Sequence, residues 1–367
     1  MKRKRFLFVL VCALIFSLVF LGCGNKSEAQ KEAQEDGEAQ ETVETISWKA
    51  QSAWHRGDAF HDEAEYFCDA LERASGGALV IPKMYAIGEL VGPIEAVTET
   101  SAGRLDFTHN SGMYVAGTLP WTGLPIGSRP GYAMESIFSA VRYLYYAGGL
   151  DIYNEYLQTK FNVYTLPVVC TASEAVYSMK PIRSIEDFKG LKIRTSGLNK
   201  MFYEALGATC ISIPMTDVTP AMQRGELDAC EMSSFYIDSK SGIEDVAKYV
   251  LTGTLHQPVG ITVQAFINLD EWNSLSEELK QAVKDAAELS MWHSFVYGGY
   301  MDQNIAEKWS DKMEIIEATP EMQVGFEKAT EQVRKDIMAN EDQWGAKLLE
   351  HQKAFMEKYD QYAVEPW

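Results

Sequence analysis

The feature that most constrains the fold is a repeated alternation of strand and helix patterns along the chain. In the first run, short apolar strands are predicted at 45–50, 78–82 and 105–108, with helices at 59–75 and 94–102. Such alternation is typical of a parallel, twisted sheet with right-handed crossover helices on its faces. The same pattern starts again in the second half of the chain. Two such units predict an α/β protein with two lobes and a cleft between them.

The second run follows a pair of helical segments and precedes two long ones. Its predicted strands are 163–169, 190–195, 210–214 and 227–231, and its predicted helices are 198–206 and 220–224. The other predicted helices are 134–147, 150–160, 275–309 and 320–359. The last two are long and of mixed charge, and we expect them to strap the lobes together.

Two charged residues each end a predicted strand of the second run. Because the carboxyl ends of strands face the ligand crevice in open α/β sheets, Arg194 would point its guanidinium at a ligand. A planar guanidinium grips a carboxylate through two parallel hydrogen bonds. Glu231 would face the same anion only if a cation or a proton lay between them. The alternative is an ion pair between Arg194 and Glu231 without a metal.

Composition and motifs narrow the class of function. The chain carries 52 acidic against 33 basic residues, a formal charge of −19, which argues against a nucleic-acid partner. It lacks a GxSxG elbow, an HExxH helix, a GxGxxG turn and a Walker loop, so we expect a binding protein rather than an enzyme. His61, Asp62 and Glu63 are interpreted as a solvated helix face.

The first residues have the layout of an export signal. A basic cluster at 2–5 precedes an apolar run at 6–21. Residues 20–23, at the end of this run and just after it, resemble a bacterial lipoprotein signal that ends in Cys23. We predict a signal peptide at 1–22 and a lipidated Cys23 with a flexible acidic tether at 23–45. An ordinary cleaved signal and an uncleaved anchor are the alternatives. All three place the folded part outside the cytoplasm, in the periplasm or on the outer face of the membrane.

The remaining cysteines leave their redox state open. Four cysteines allow three pairings, and buried free thiols are equally compatible with their apolar surroundings. They are Cys68, Cys170, Cys210 and Cys230.

An ordered set of short motifs over residues 46–340 resembles the solute-binding proteins of TRAP transporters, the tripartite ATP-independent periplasmic systems. The motifs are Phe188–Gly197, Leu206–Ala208, Pro214, Ala221–Glu231, Ala86–Val91, Ala96–Val97, Gly103–Asp106, Ala265–Asn268 and Trp272. The resemblance implies a clamshell that closes on its ligand, each lobe a mostly parallel twisted sheet flanked by helices, with long C-terminal helices. Lobe 1 would comprise 46–171 plus 260–299. Lobe 2 and the C-terminal helices would comprise 172–259 plus 300–367.

The resemblance also implies a function. The protein would capture an organic carboxylate, such as a 2-oxo or 2-hydroxy acid, and deliver it to the membrane subunits of an ion-gradient-driven TRAP permease. Its contact with the membrane would be through the lipid anchor only. A receptor that feeds a sensor kinase or chemoreceptor is an alternative, and an extracytoplasmic enzyme acting on acidic substrates is another. Some relatives dimerise through the C-terminal helix, and 320–359 is long enough for a homodimer.

Residue by residue, the resemblance assigns Arg194 to the ligand carboxylate and Glu231 to a site beside a bound cation, sodium or calcium. The subgroup that binds small acids has a tryptophan after this glutamate and a glutamine before the second lobe. This chain has Met232 and the segment Thr171–Glu174 there. Aromatic residues are expected to shape the pocket. The candidate ligand-binding residues are Arg194, Glu231, Trp54, Tyr114, Tyr177, Ser173, Met232 and Phe235.

Overall fold

A computed structural model of the chain describes residues 45–132, 134, 136–253 and 255–362, with side chains described up to residue 359. The predicted signal peptide, the lipidated Cys23 and the tether up to residue 44 lie outside the described residues. None of the described helices combines the length and apolar character needed to cross a membrane. The four cysteines in the described part of the chain, at 68, 170, 210 and 230, are free thiols.

Strands and helices are labelled here in chain order within the described residues. The strands are β1 Ile46–Ser47, β2 Ala50–Ser52, β3 Leu79–Val80, β4 Met84–Tyr85, β5 Phe107–Asn110, β6 Val163–Thr171, β7 Val176–Ser178, β8 Lys192–Arg194, β9 Thr209–Ile211, β10 Ala229–Glu231, β11 Tyr249–Thr252, β12 Gly260–Asn268 and β13 Glu314–Glu317.

The α-helices are α1 Ala59–Ala74, α2 Ala96–Ser101, α3 Ile137–Val141, α4 Gly149–Leu157, α5 Asn199–Ala205, α6 Val218–Gln223, α7 Phe235–Asp238, α8 Leu269–Ser274, α9 Glu277–Trp309, α10 Pro320–Met338 and α11 Trp344–Tyr362. Short 3₁₀ turns lie at Gly112–Val115, Pro120–Ile126, Ile185–Phe188, Met215–Asp217 and Ile243–Asp245, and a π-helical turn at Arg142–Tyr146.

The strands form two larger sheets and a small parallel pair, β1 with β3. One sheet has the order β4-β2-β5-β12-β6, in which the first three strands are parallel and β12 is antiparallel to both neighbours. The other has the order β13-β11-β7-β10-β8-β9, in which β7 is antiparallel to both neighbours. The predicted α/β class with two lobes is confirmed. The sheets are mixed rather than mostly parallel, because β7 and β12 do not belong to the strand–helix alternation.

Helix α1 packs against the long helix α9, and its buried stripe includes Ala64, Phe67 and Leu71. The predicted solvated face of this helix is wrong for His61 and Glu63, which are both buried. A carboxylate oxygen of Glu63 lies 3.1 Å from Nδ1 of His293 on α9. The buried face of this helix is therefore wider than its apolar residues indicate, and α9 covers the part that contains Glu63.

The predicted helical run at 320–359 is divided into α10 and α11. Thr319 caps the start of α10 by accepting a hydrogen bond from the backbone N–H of Met322. Between the helices, the side-chain oxygen of Asn340 accepts from the N–H of Asp342, and that of Asp342 accepts from the N–H of Trp344. Such side chains compete with the helix for backbone N–H groups, which explains the break.

A close backbone contact joins the 3₁₀ turn before Gly127 to the residue that precedes β12. Gly127 has φ of +117°, and a Cβ there would overlap the carbonyl oxygen of Val259. Gly127→Ala should therefore lower the free energy of unfolding in urea by at least about 1–3 kcal/mol, from strain and overlap together. Gly117→Ala is the matched control, since open space surrounds that glycine. An equal loss in both variants would contradict the packing described.

Candidate functional site

A cavity of about 50 Å³ lies between the strand ends of the two larger sheets. Around the five-stranded sheet it is lined by Trp54, Phe60, Ser111, Met113, Tyr114 and Thr262. Around the six-stranded sheet it is lined by Glu174, Arg194, Ser196, Asn199, Met215, Glu231, Met232, Ser233 and Gln257. The arrangement follows from the topology, since β8 and β10 run parallel and their carboxyl ends meet at one edge of the sheet.

Arg194 ends β8 and is only 4% exposed. Its Nε–H donates to the carbonyl oxygen of Ile213 at 3.0 Å, and Nη1 donates to the carbonyl oxygen of Glu231 at 2.9 Å. Nη2 forms no hydrogen bond with any of the described residues. Two backbone carbonyls therefore fix the plane of the guanidinium and leave one edge of the fork for a ligand in the cavity.

Glu231 ends the neighbouring strand β10 and is buried. Its Oε1 accepts a hydrogen bond from the backbone N–H of Ser196 at 2.9 Å and lies 3.6 Å from Nη1 of Arg194. The ion pair considered from the sequence is therefore present. Burial raises the pKa of Glu231, but the charge of Arg194 and the hydrogen bond from His256 outweigh it, and the net pKa lies below the usual value.

His256 lies between β11 and β12 and is fully buried. Its Nε2 is 3.0 Å from Oε2 of Glu174 and 3.5 Å from Oε2 of Glu231, and its Nδ1 is 2.7 Å from the hydroxyl of Tyr203. Burial lowers the pKa of His256, but the two carboxylates outweigh it and raise this pKa to about 9. The two glutamates that flank Nε2 therefore favour the protonated form of the imidazole.

Glu174 completes this buried group. It lies in the turn between β6 and β7, and burial raises its pKa to about 7 in spite of the hydrogen bond from His256. Glu174 therefore holds its proton more readily than an exposed glutamate, and its contact with His256 ties it to the other members of the group.

Several residues that line the cavity carry a buried polar atom with no hydrogen-bond partner within the described part of the chain. These atoms are Nε1 of Trp54, Oδ1 of Asn199, Oγ of Ser233 and Oγ1 of Thr262. Leaving a buried polar atom unpaired costs about 1–3 kcal/mol, so clusters of such atoms need an explanation. A polar ligand in the cavity supplies one.

The structure brings five of the predicted ligand-binding residues together at the cavity: Arg194, Glu231, Trp54, Tyr114 and Met232.

Tyr177, Ser173 and Phe235 do not line the cavity. Tyr177 lies inside β7 rather than after a strand, and its hydroxyl donates to Asp238 at 2.9 Å. Phe235 packs against Tyr177 in the core below the site. Ser173 donates its hydroxyl to the carbonyl oxygen of Gly253 at 2.8 Å. Core packing and backbone hydrogen bonds therefore account for these side chains.

Sequence reasoning missed Glu174, His256, Asn199 and Gln257. The pair His256–Gln257 stands between two apolar strands, and an isolated polar pair in that position was the available signal. It was weak because His256 belongs to none of the recognisable catalytic or metal motifs.

The sequence model of the bacterial extracellular solute-binding proteins, family 7 (DctP), matches residues 50–341. The chain belongs to this family. The predicted resemblance to TRAP solute-binding proteins is thereby confirmed, and so is the role of an extracytoplasmic receptor that binds a solute for a TRAP transporter.

Relatives of this DctP-family chain are similar over most of its length. The monocarboxylate 2-oxoacid-binding periplasmic protein all3028 of Nostoc sp. is 27% identical over 254 residues, which are 68% of either chain. A TRAP solute-binding protein from Bordetella bronchiseptica, solved with calcium and picolinate, has a TM-score of 0.78 at 21% identity and covers 86% of this chain and 93% of its own. A TRAP solute-binding protein from Pseudoalteromonas atlantica, solved with sodium and pyruvate, has a TM-score of 0.75 at 20% identity, with 86% and 95% covered.

The donor set of this DctP-family chain can be tested against those cations. Glu174, Glu231 and His256 each place one potential ligand atom within 4.8 Å of the others. Sodium and calcium take oxygen ligands, whereas one of the three donors is an imidazole nitrogen that already contacts both carboxylates. Both oxygens of Glu231 also face N–H donors. As arranged, these residues do not fit a sodium or calcium ion.

His109 lies behind the cavity wall, where its ring meets the edge of Trp54 with 5.5 Å between ring centroids. Burial lowers the pKa of His109 to about 3. Because the unfolded chain has the ordinary value near 6.5, the contribution of this group to stability is complete above pH 6.5. It is lost as the pH falls towards 3, by about 1.4 kcal/mol per pH unit.

His109→Phe should remove this part of the pH dependence of the free energy of unfolding. Urea unfolding from pH 7 to pH 4 measures it, and the exposed His55→Gln should keep the slope of the unsubstituted protein. An unchanged slope in His109→Phe would contradict the neutral, buried state of this imidazole.

Proposed function

We propose that this receptor captures a small monocarboxylate, a 2-oxo or 2-hydroxy acid, with Arg194 gripping the carboxylate, and passes it to the membrane subunits of a TRAP permease. The observation that carries the proposal is the guanidinium of Arg194, which two backbone carbonyls fix in place. The edge that remains matches a carboxylate in shape and charge. The name of the Nostoc relative, which binds monocarboxylate 2-oxoacids, agrees with this class.

The unpaired polar atoms provide hydrogen-bond partners for the 2-oxo or 2-hydroxy oxygen of such a ligand. A 2-oxo or 2-hydroxy oxygen can accept from Nε1–H of Trp54 or from the hydroxyls of Ser233 and Thr262, each of which lines the cavity. Tyr114 and Met232 would form walls around the carbon chain. A ligand bound this way offsets the cost of several unpaired atoms at once.

The size of the cavity favours a short acid. A cavity of about 50 Å³ holds roughly three to five groups the size of a water molecule. That suits an acid of three or four carbons better than a six-carbon sugar acid.

Residues around both sheets line the cavity, so a change in the separation of the sheets would widen or narrow it. We propose that lobe 1 (46–171 plus 260–299) and lobe 2 with the C-terminal helices (172–259 plus 300–367) open and close as the two halves of a clamshell. The lipid anchor at Cys23 and a homodimer through the C-terminal helices stay predictions.

Arg194→Ala should weaken binding of pyruvate at least about tenfold, because a lost charged hydrogen bond costs about 1.5–3 kcal/mol. Arg194→Lys should also bind poorly, since an ammonium cannot reproduce the fork. Isothermal titration calorimetry measures both. The matched control is Arg224→Ala, an exposed arginine paired with Glu226, which should leave affinity unchanged. Equal affinity in Arg194→Ala and the unsubstituted protein would exclude the assigned role.

The size argument predicts a ranking of ligands. Pyruvate and lactate should raise the melting temperature of the protein in proportion to the logarithm of their concentration, whereas gluconate should leave it unchanged. A larger shift with gluconate than with pyruvate would show that the cavity does not set the size of the ligand.

A further inference from the structure

The contacts of His256 differ from those of an ordinary buried histidine. A buried imidazole is usually neutral, because burial disfavours its charge. Here Nε2 lies between two carboxylates, at 3.0 Å from Glu174 and 3.5 Å from Glu231, and the Tyr203 hydroxyl contacts the other nitrogen. All four side chains are buried. A single N–H group on Nε2 therefore faces both carboxylates at once, with the shorter contact to Glu174.

The two glutamates explain why a partner is required between them. Glu231 and Glu174 lie beside a cavity that is proposed to receive a third carboxylate, and like charges at this distance are unfavourable in a dry site. Arg194 balances one of them at 3.6 Å from Glu231. The second glutamate needs a metal ion, a proton of its own or a hydrogen-bond donor beside it. In this structure a side chain occupies the position between the two carboxylates.

We propose that the Nε2–H group of His256 takes the place of a metal ion between Glu174 and Glu231 in this receptor, so that the carboxylate is captured without sodium or calcium. The inference rests on the proposed function for the nature of the ligand. It differs from the calcium and sodium found with ligands in the related structures from Bordetella bronchiseptica and Pseudoalteromonas atlantica. The His256 side chain is covalently part of the chain, so its presence does not depend on the concentration of an ion.

The exchange of a side chain for a metal can be reversed by mutation. His256→Gln removes the imidazole and leaves Glu174 and Glu231 facing each other. The new amide oxygen would join two carboxylates, which gives the all-oxygen donor set that calcium prefers. His256→Gln should therefore gain a calcium site that the unsubstituted protein lacks.

The test uses metal alone as the probe, followed by differential scanning calorimetry of the full chain. The melting temperature of the unsubstituted protein should be the same in EDTA, in millimolar calcium chloride and in sodium chloride matched with choline chloride for ionic strength. The melting temperature of His256→Gln should rise by at least about 2 °C with millimolar calcium. The exposed His55→Gln is the matched control and should behave as the unsubstituted protein.

A rise in the melting temperature of the unsubstituted protein with calcium or sodium would overturn the inference. An unchanged melting temperature of His256→Gln in calcium would overturn it as well. If His256→Gln does not fold, calorimetric titration of the unsubstituted protein with calcium decides the question, and saturable binding contradicts the inference.

A parallel titration with pyruvate separates this inference from the proposed function. Equal affinity in EDTA and in calcium supports both. Binding of pyruvate only in calcium overturns the inference and leaves the proposed function standing. If none of pyruvate, lactate and other short acids binds in either condition, the proposed function fails, and the metal-alone result still decides the role of His256.

Discussion

A buried network of charges, formed by Arg194, Glu231, His256 and Glu174, is the interaction on which the site depends. Each member balances a neighbour, and removing one partner of a buried ion pair costs about 3–5 kcal/mol because the other charge is left uncompensated. The network also orients the guanidinium, since the carbonyl of Glu231 accepts from Nη1 of Arg194. Its geometry and its charge therefore come from the same contacts, and the ligand completes an arrangement that is already in place.

The network lies where the six-stranded sheet is connected to the five-stranded sheet. β8 and β10 deliver Arg194 and Glu231 to one sheet edge, while the connection from β11 to β12 carries His256 from the six-stranded sheet towards the five-stranded one. β12 then pairs with β5 and β6 in the five-stranded sheet. Residues that line the cavity thus come from around both sheets, and a change in the separation of the sheets changes the site directly. This coupling is the physical basis of capture by closure.

The parts of the site that could be predicted from sequence are those that periodicity and strand ends determine. Arg194 and Glu231 are each the last residue of a short strand, so their place at the sheet edge can be predicted from the strand pattern. His256 lies in an irregular connection, and its partners are distant in sequence, so no local pattern marks it. Tyr177 was assigned to the pocket for a related reason. It lies in β7, which is only three residues long and was not predicted as a strand. The antiparallel strands β7 and β12 were not predicted, because they do not belong to a strand–helix–strand alternation.

A crystal structure of the protein grown with pyruvate and calcium chloride tests the central claim most directly. The account predicts the carboxylate of pyruvate against the free edge of Arg194, with Nε2 of His256 between Glu174 and Glu231, and no anomalous calcium signal there. A pyruvate whose carboxylate lies away from Arg194, or a calcium ion coordinated by Glu231, would contradict it.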